Sequence, residues 1–382
     1  MITTFDPTTD AFAEERTATY RYLRDERPVF HDAARDTWVL SRFADVYAAA
    51  NDADTFSSVA SEADVLLPML NYLDAPRHTQ LRRMVSRAFT PARVASLEEP
   101  TRALVSRLLD AYLETGGGDL IADFSGPLAS TVVGRMIGIP ADRLTAFRHL
   151  TDELLLLGQK GGTEELADVA GRIYAQFAQV LAERRNTPAS DLVSALLEVQ
   201  RDGDLSDAEL LGFCFILVGG GNDTTSNLVA NGWVQLLRHP DALAALDADR
   251  SLLPSAIEEM LRLEPPAESH MRTTTRDVAL HGTAIPAGAR VQLLWGAANL
   301  DEREFEDPGR FDIRRLAGRH LSFGHGVHFC LGATLGRLEA RVAFEALLDR
   351  AQHLRLVAEP QRLPSPWACA YAAVRLTAGD AA

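Results

Sequence analysis

Cys330 stands in HLSFGHGVHFCLGATLGRLEARVAF, a glycine-punctuated loop that runs directly into a long amphipathic segment. A thiol at such a junction meets the N-terminus of a helix, where free backbone N–H groups and the helix dipole stabilise a thiolate and lower its pKa. Gly324 and Gly326 let the loop fold tightly, and Gly332 lets the helix start close beneath a flat ligand. Two plainer readings compete. A free cysteine is often only a small buried residue, and His320, His325 and His328 are near enough in sequence to suggest zinc. Zinc fits poorly, because no second cysteine or matching ligand pair completes a structural site at the usual spacings. A second stretch, VGGGNDTTSN, sets Gly219, Gly220 and Gly221 beside Asn222, Asp223, Thr224 and Thr225. It sets a carboxylate and a hydroxyl next to bare backbone.

The element that must present this pair begins at Ser206, where Ser206 and Glu209 form a capping-box pattern, and can run without proline to His239. That predicts a helix of about 30 residues, or ~45–50 Å. The glycine triplet sacrifices about 2–3 kcal/mol of helix propensity. Either the helix stops there, or something large and flat presses against it. Apolar residues also recur at helical spacing in 81–88, 101–113, 192–199 and 332–348. Strand patterns are few: 278–280, then a turn around 286–288, then 290–295, with a short pair near Phe30 and 38–40. The fold class is therefore mainly α (α+β), with small sheets at its margins. No repeat, low-complexity tract or linker divides the chain, so residues 1–382 read as a single domain.

A hydrophobic content of 47% over 382 residues is ample for a buried core. The opening MITTFDPTTDAF has neither a basic nor an apolar region of a leader, and the longest apolar stretch, around 210–218, is far short of a membrane span. The expected localisation is cytoplasmic. Cys214, Cys330 and Cys369 are too few and scattered for a disulfide framework; Cys214, between two phenylalanines, reads as packing. A formal charge of −15 argues against nucleic acid and anionic membrane as partners. Two basic clusters break that balance: Arg77, Arg82, Arg83, Arg87 and Arg93, and Arg310, Arg314, Arg315 and Arg319. If they converge, they form a patch that would steer an acidic partner; otherwise they are solvated arginines.

FGHGVHFCLG fits the haem-binding signature F-G-x-G-x-H-x-C-x-G at every fixed position, and through it the chain resembles the cytochromes P-450, soluble bacterial-type haem-thiolate monooxygenases. The resemblance runs through most of the chain and is strongest over 74–90 and 207–338. It implies the P-450 fold, a helical bundle around a buried haem b (iron protoporphyrin IX) with the axial thiolate from Cys330. Gly220, Gly221, Asn222, Asp223 and Thr224 match the A/G-G-x-D/E-T motif of the family's oxygen-binding helix. Glu259 and Arg262 match its E-x-x-R ion pair, and 307–312 takes the place where that arginine network is completed. His78, Arg82, Arg272 and His328 are the implied partners of the haem propionates; Gly220, Gly221, Phe323, Gly324 and Gly332 would line the ring.

A thiolate pushes electron density to iron and so favours O–O cleavage; Asp223 and Thr224 would hold dioxygen, the co-substrate, and pass on protons. The chain carries no flavin or iron–sulfur signature, so electrons must come from outside, in the family usually from a ferredoxin and ferredoxin reductase. By family position the substrate pocket takes in Leu66, Leu67, Met69, Val218, Glu268, Ser269, His270 and Trp367, with further lining expected from 59–70, 154–158, 218–223, 267–271 and 367–369. That composition implies a mostly apolar small organic substrate, in bacterial secondary or catabolic metabolism. Two other outcomes stay open: a haem-thiolate catalyst of oxidative coupling, dehydrogenation or nitration, and a non-catalytic haem or ligand-binding protein.

Overall fold

The computed structural model describes residues 5–59, 69–160, 163–203, 205–316 and 318–378. The helices are α1 (Asp10–Glu26), α2 (Phe43–Asn51), α3 (Arg77–Ala88), α4 (Pro91–Ser96), α5 (Glu98–Glu114), α6 (Gly126–Ile137), α7 (Leu144–Lys160), α8 (Thr163–Asn186), α9 (Leu192–Asp202), α10 (Asp207–Arg238), α11 (Pro240–Ala248), α12 (Leu253–Leu263), α13 (Trp295–Ala298) and α14 (Ala333–Arg350). The strands are β1 (Val29–Asp32), β2 (Thr37–Leu40), β3 (Phe56–Ser57), β4 (Gly117–Asp119), β5 (Ser269–Thr274), β6 (Val278–Leu280), β7 (Thr283–Ile285), β8 (Arg290–Leu294), β9 (Leu354–Leu356) and β10 (Arg375–Ala378).

The long helix forms as the sequence predicts. The Ser206 hydroxyl accepts the Glu209 N–H at 3.2 Å while the Glu209 carboxylate accepts the Ser206 N–H at 2.9 Å, which satisfies two of the end's orphan donors. α10 then runs unbroken for 32 residues, ~48 Å, so the glycine triplet does not end it. Every residue from Thr225 to Leu236 is buried, which requires apolar neighbours on all sides. α6, α8, α12 and α14 supply them. Trp233 and Phe344 are fully buried in the core that results.

The sheets lie at the margins. One has the order β1-β2-β8-β5-β3, with β2 and β8 parallel and the other pairs antiparallel. β4-β10-β9 form a second sheet and β6-β7 a hairpin. The predicted strand at 278–280 thus pairs with Thr283–Ile285 rather than with β8, which lies in the large sheet. A second core under that sheet joins β8 to α2 and α13 through Val291, Leu293, Phe43 and Trp295. Among the described residues no helix is long and apolar enough to cross a membrane.

Candidate active site

The Cys330 loop is built by two backbone devices. The Cys330 N–H donates to the Phe323 carbonyl at 2.8 Å, closing the loop on itself. Gly326 has φ +69°, and a Cβ there would stand 2.5 Å from the Ala50 carbonyl oxygen, so only glycine lets the loop lie against α2. The loop ends at Gly332, after which α14 begins. Cys330 is solvent-accessible although protein surrounds its sulfur on most sides, which places it on the wall of a cleft. Burial pushes the thiol above its ordinary value, against the backbone N–H groups of Gly332 and Ala333 and the charges of Arg82 and Arg337. The expectation of a lowered pKa is corrected accordingly: the donors are present, but desolvation outweighs them. Zinc finds no support, because among the described residues no group of three His, Cys, Asp or Glu could hold a metal ion. His320 is committed to Glu258 at 3.1 Å, and His325 stacks on Tyr47.

Basic groups converge beside this loop. Arg82 of α3 donates to the Phe329 carbonyl at 2.6 Å, so α3 lies directly against the loop. His78, one turn earlier, lies against His328 with ring centroids 4.1 Å apart and the rings tilted by 45°. Arg272 of β5 is buried, and apart from the Met271 carbonyl at 2.7 Å no hydrogen-bond partner for its guanidinium is found among the described residues. Burial lowers all four groups, Arg272 to about 10 and His328 to about 3, and for the two histidines their cationic neighbours add to it. Asp74 is the carboxylate facing them, and its oxygens are taken by the Ser57 hydroxyl and the Ser58 N–H. His78 Nε2 and His328 Nε2 are buried without a hydrogen-bond partner. Buried donors beside buried cations call for an anion.

The middle of α10 presents the matching surface. Gly219 and Gly220 are exposed in a helix otherwise largely buried, and a Cβ at either would meet nothing within 4 Å. One turn on, the Thr224 hydroxyl donates to the Gly220 carbonyl at 2.5 Å, leaving its lone pairs to accept. Asp223 is half-buried beside it. α10 packs on α14, the helix that follows Cys330. A haem fits these residues: a flat face against bare glycine backbone, carboxylates for the orphaned histidines, the buried Arg272 and the half-buried Arg82, and a sulfur at the wall.

The ion pair is present and deeply buried. Arg262 donates Nε and Nη2 to the two oxygens of Glu259 at 2.7 and 2.8 Å, and both side chains are fully inaccessible. Its Nη1 donates to the carbonyls of Asn299 and Pro308 at 2.8 Å. Arg315 completes the network, with Nε 3.1 Å from Glu259. The stretch 307–312, where the network was expected to be completed, supplies only backbone groups to it, and Arg315, expected on the basic surface patch, supplies the charge. The signal that could have found it is a third arginine close after the D-P stretch, facing an otherwise under-neutralised buried carboxylate.

Several predicted pocket residues lie elsewhere. Leu66 and Leu67 fall outside the described residues. Val218 is fully buried in the main core, because the helix turns its neighbours Gly219 and Gly220 outward instead. Glu268 is buried and accepts from Arg16 at 2.8 Å and the Tyr20 hydroxyl at 2.5 Å, tying α1 to β5 rather than lining a pocket. Ser269 donates to the Pro366 carbonyl and accepts from Gln292. Strand alternation turns His270 to the opposite face. There Trp295 Nε1 donates to His270 Nδ1 at 2.9 Å, which leaves Nε2 as the protonated donor of a neutral ring, held to about 4 by burial. Met69 is half-buried, and Trp367 is 48% exposed.

The fold and the site define a haem-thiolate protein, and comparison with known proteins agrees. The family model described as Cytochrome P450 matches residues 160–368. The chain is 39% identical over 376 residues to cytochrome P450 107B1 of Saccharopolyspora erythraea, covering 93% of this chain and 92% of that one. It is 37% identical over 363 residues to the steroid C26-monooxygenase of Mycobacterium tuberculosis, covering 92% and 90%. The structure of cytochrome P450 CYP109Q5 from Chondromyces apiculatus superposes with a TM-score of 0.91 at 35% identity, covering 99% of each chain. The chain belongs to the cytochrome P-450 family. It is a monooxygenase of the bacterial type, with the haem-thiolate cofactor and the external electron donors that this family implies.

Proposed function

We propose that residues 1–382 form one catalytic domain that inserts one atom of dioxygen into a C–H or C=C bond of a mostly apolar small organic substrate. The second oxygen atom leaves as water, with two electrons from a ferredoxin and its reductase and two protons from solvent. The observation that carries this reading is the exposed Gly219–Gly220 backbone, where a Cβ would meet nothing within 4 Å, with Asp223 and Thr224 one turn further on. Bound haem supplies the activation of dioxygen. The protein's own residues do the rest. Cys330 would supply the sulfur ligand, His78, Arg82, Arg272 and His328 would receive the carboxylates, and Phe323, Gly324, Gly332 and Gly220 would lie against the ring; a Cβ at Gly221 would stand 2.8 Å from Val133, so that glycine faces α6 instead. The Thr224 hydroxyl holds a proton at the reacting oxygen, and the Asp223 carboxyl replaces it from water. Met69, Met271 and Trp367 offer apolar lining, and the similarity to a steroid C26-monooxygenase supports a sizeable apolar substrate.

Reconstitution with a bacterial ferredoxin, its reductase and NADPH tests this reading across a compound library. Oxygenated product, with label from heavy dioxygen, is expected; coupled, dehydrogenated or nitrated product without net oxygen insertion counts against it, and absence of turnover with any compound favours a binding protein. Thr224→Ala should cut product formation roughly 100-fold, the scale of one lost proton-delivering group, with the carbon monoxide spectrum unchanged. Undiminished product would remove Thr224 from the proton path.

The donor's docking face is proposed on α3 and the Cys330 loop, where Arg83 and Arg87 are exposed beside Phe329 and Val327. Part of the basic patch read from sequence is spent internally: Arg77 pairs with Glu209 at 2.5 Å, Arg310 with Asp312 at 3.3 Å and Arg319 with Glu304 at 3.2 Å. Arg83→Glu with Arg87→Glu should slow reduction by ferredoxin about tenfold at low salt and flatten its salt dependence. A rate equal to that of the parent at every ionic strength would remove this face from consideration.

A further inference from the structure

The C-terminal half of α10 carries polar side chains that catalysis does not use. Asn231 is 1% exposed, in a helix segment buried on all sides. A buried amide costs free energy unless it is bonded. Its Nδ2 donates to the Cys369 carbonyl at 2.8 Å, while its Oδ1 has no partner among the described residues. The residue is thus placed for its donor alone. One turn on, Gln235 donates to Glu264, which also accepts from Arg362; one turn further, Arg238 donates to the Tyr371 hydroxyl at 3.0 Å. Asn231, Gln235 and Arg238 share one face of the helix, and all three reach the segment 359–371 directly or through Glu264.

That segment contains the turn bearing Trp367, the exposed aromatic at the end of β5. On its other side the turn is stitched to β5: the Glu268 N–H donates to the Trp367 carbonyl at 2.7 Å, the Cys369 N–H to the Pro266 carbonyl at 3.3 Å, and Ser269 to the Pro366 carbonyl at 2.6 Å. Asn231 is the bond from this turn to α10. It lies seven residues beyond Thr224, ~10 Å along one rigid helix. Of the α10 side chains that reach this segment, Asn231 bonds the backbone of the turn directly; the route through Gln235, Glu264 and Arg362, whose Nη1 lies 3.0 Å from the Cys369 Sγ, is indirect.

We propose that Asn231 is a positioning residue that fixes the Trp367–Cys369 turn at a set distance from Thr224 and so determines which part of a substrate reaches the reacting oxygen. This rests on the reading of that turn as part of the substrate site. Asn231 touches neither haem nor substrate; it acts through the turn. Removing the donor lets the turn move on its β5 stitches, which widens the choice of oxidation positions without altering the iron's surroundings.

The test uses the haem-loaded protein and two nitrogen-donor probes: imidazole, too small to reach the turn, and clotrimazole, a triaryl imidazole that fills the cleft. Asn231→Leu keeps the size and loses the donor; Asn231→Ser withdraws the donor from the Cys369 carbonyl by shortening the side chain and serves if the leucine variant fails to fold. In either variant the carbon monoxide band and the imidazole affinity should match the parent. Amides of 367–370 should exchange at least about tenfold faster, and clotrimazole should bind about tenfold more weakly, the scale of one buried hydrogen bond. In a Trp367→Ala background the second effect should shrink below about twofold. Unchanged amide exchange, or equal weakening of both azoles, overturns the proposal alone. Faster exchange with clotrimazole affinity indifferent to Trp367→Ala overturns the placement of the turn in the substrate site, and the proposal with it.

Discussion

Cys330→Ser, purified with haem, is expected to lose the strongly red-shifted Soret band of the reduced carbon monoxide complex and to lose oxygenation by about 100-fold or more, at least ~2.7 kcal/mol in barrier. The argument starts in the backbone. The Phe323 carbonyl holds the Cys330 N–H at 2.8 Å, and the sulfur faces the cleft just before α14 begins. Serine fits that loop without strain, so the fold and the pocket formed by His78, Arg82, Arg272 and His328 should survive. What disappears is the polarisable thiolate that donates density to the iron. A serine variant that kept both the band and the turnover would transfer the axial role to another residue. None is in view: the other cysteines, Cys214 and Cys369, are buried, each held up to about 12 by burial.

Arg262→Ala should have the largest effect on stability. It strands the fully buried Glu259 carboxylate with only Arg315 and the Asp312 N–H opposite it, and it releases the carbonyls of Asn299 and Pro308. Breaking a buried pair from one side costs about 3–5 kcal/mol. In a chain of this size that is a fall in melting temperature of roughly 4–6 °C. Arg262→Lys should recover only part of the loss, because an ammonium cannot span both carboxylate oxygens and both carbonyls. Differential scanning of the haem-loaded proteins decides the matter; a variant melting within 2 °C of its parent would show that the pair contributes no net stability. The consequence reaches the site, since Asn299 also holds Ser322 and the Leu321 N–H at the start of the Cys330 loop.

Motifs that are local in sequence were legible. The loop around Cys330, the capping box at Ser206 and the i,i+3 pair of Glu259 and Arg262 each act within a few residues, so type and spacing suffice to read them. The uncapped length of α10 could be read too, because proline is absent over its whole course. Its glycines could not be assigned from propensity alone: they weaken a helix equally whether it ends there or faces a flat ligand. Packing decided that, by burying everything from Thr225 onward and leaving Gly219 and Gly220 open.

Long-range partners were not legible. Glu268 looked like a polar handle of the pocket until α1 brought Arg16 and Tyr20 to it across about 250 residues of chain. Arg315 looked like a surface charge until folding set it against Glu259. Val218 and Gly219 are neighbours in sequence, yet helix geometry sends one into the core and the other into the cleft. By itself, then, the sequence determined the family motifs and the candidate chemistry: a cysteine placed to ligate, a carboxylate and hydroxyl on a helix, and a helical frame around them. The tertiary structure alone decided which charges face the site and which are spent holding it, because a charge's role depends on the partner folding delivers and on the water folding removes.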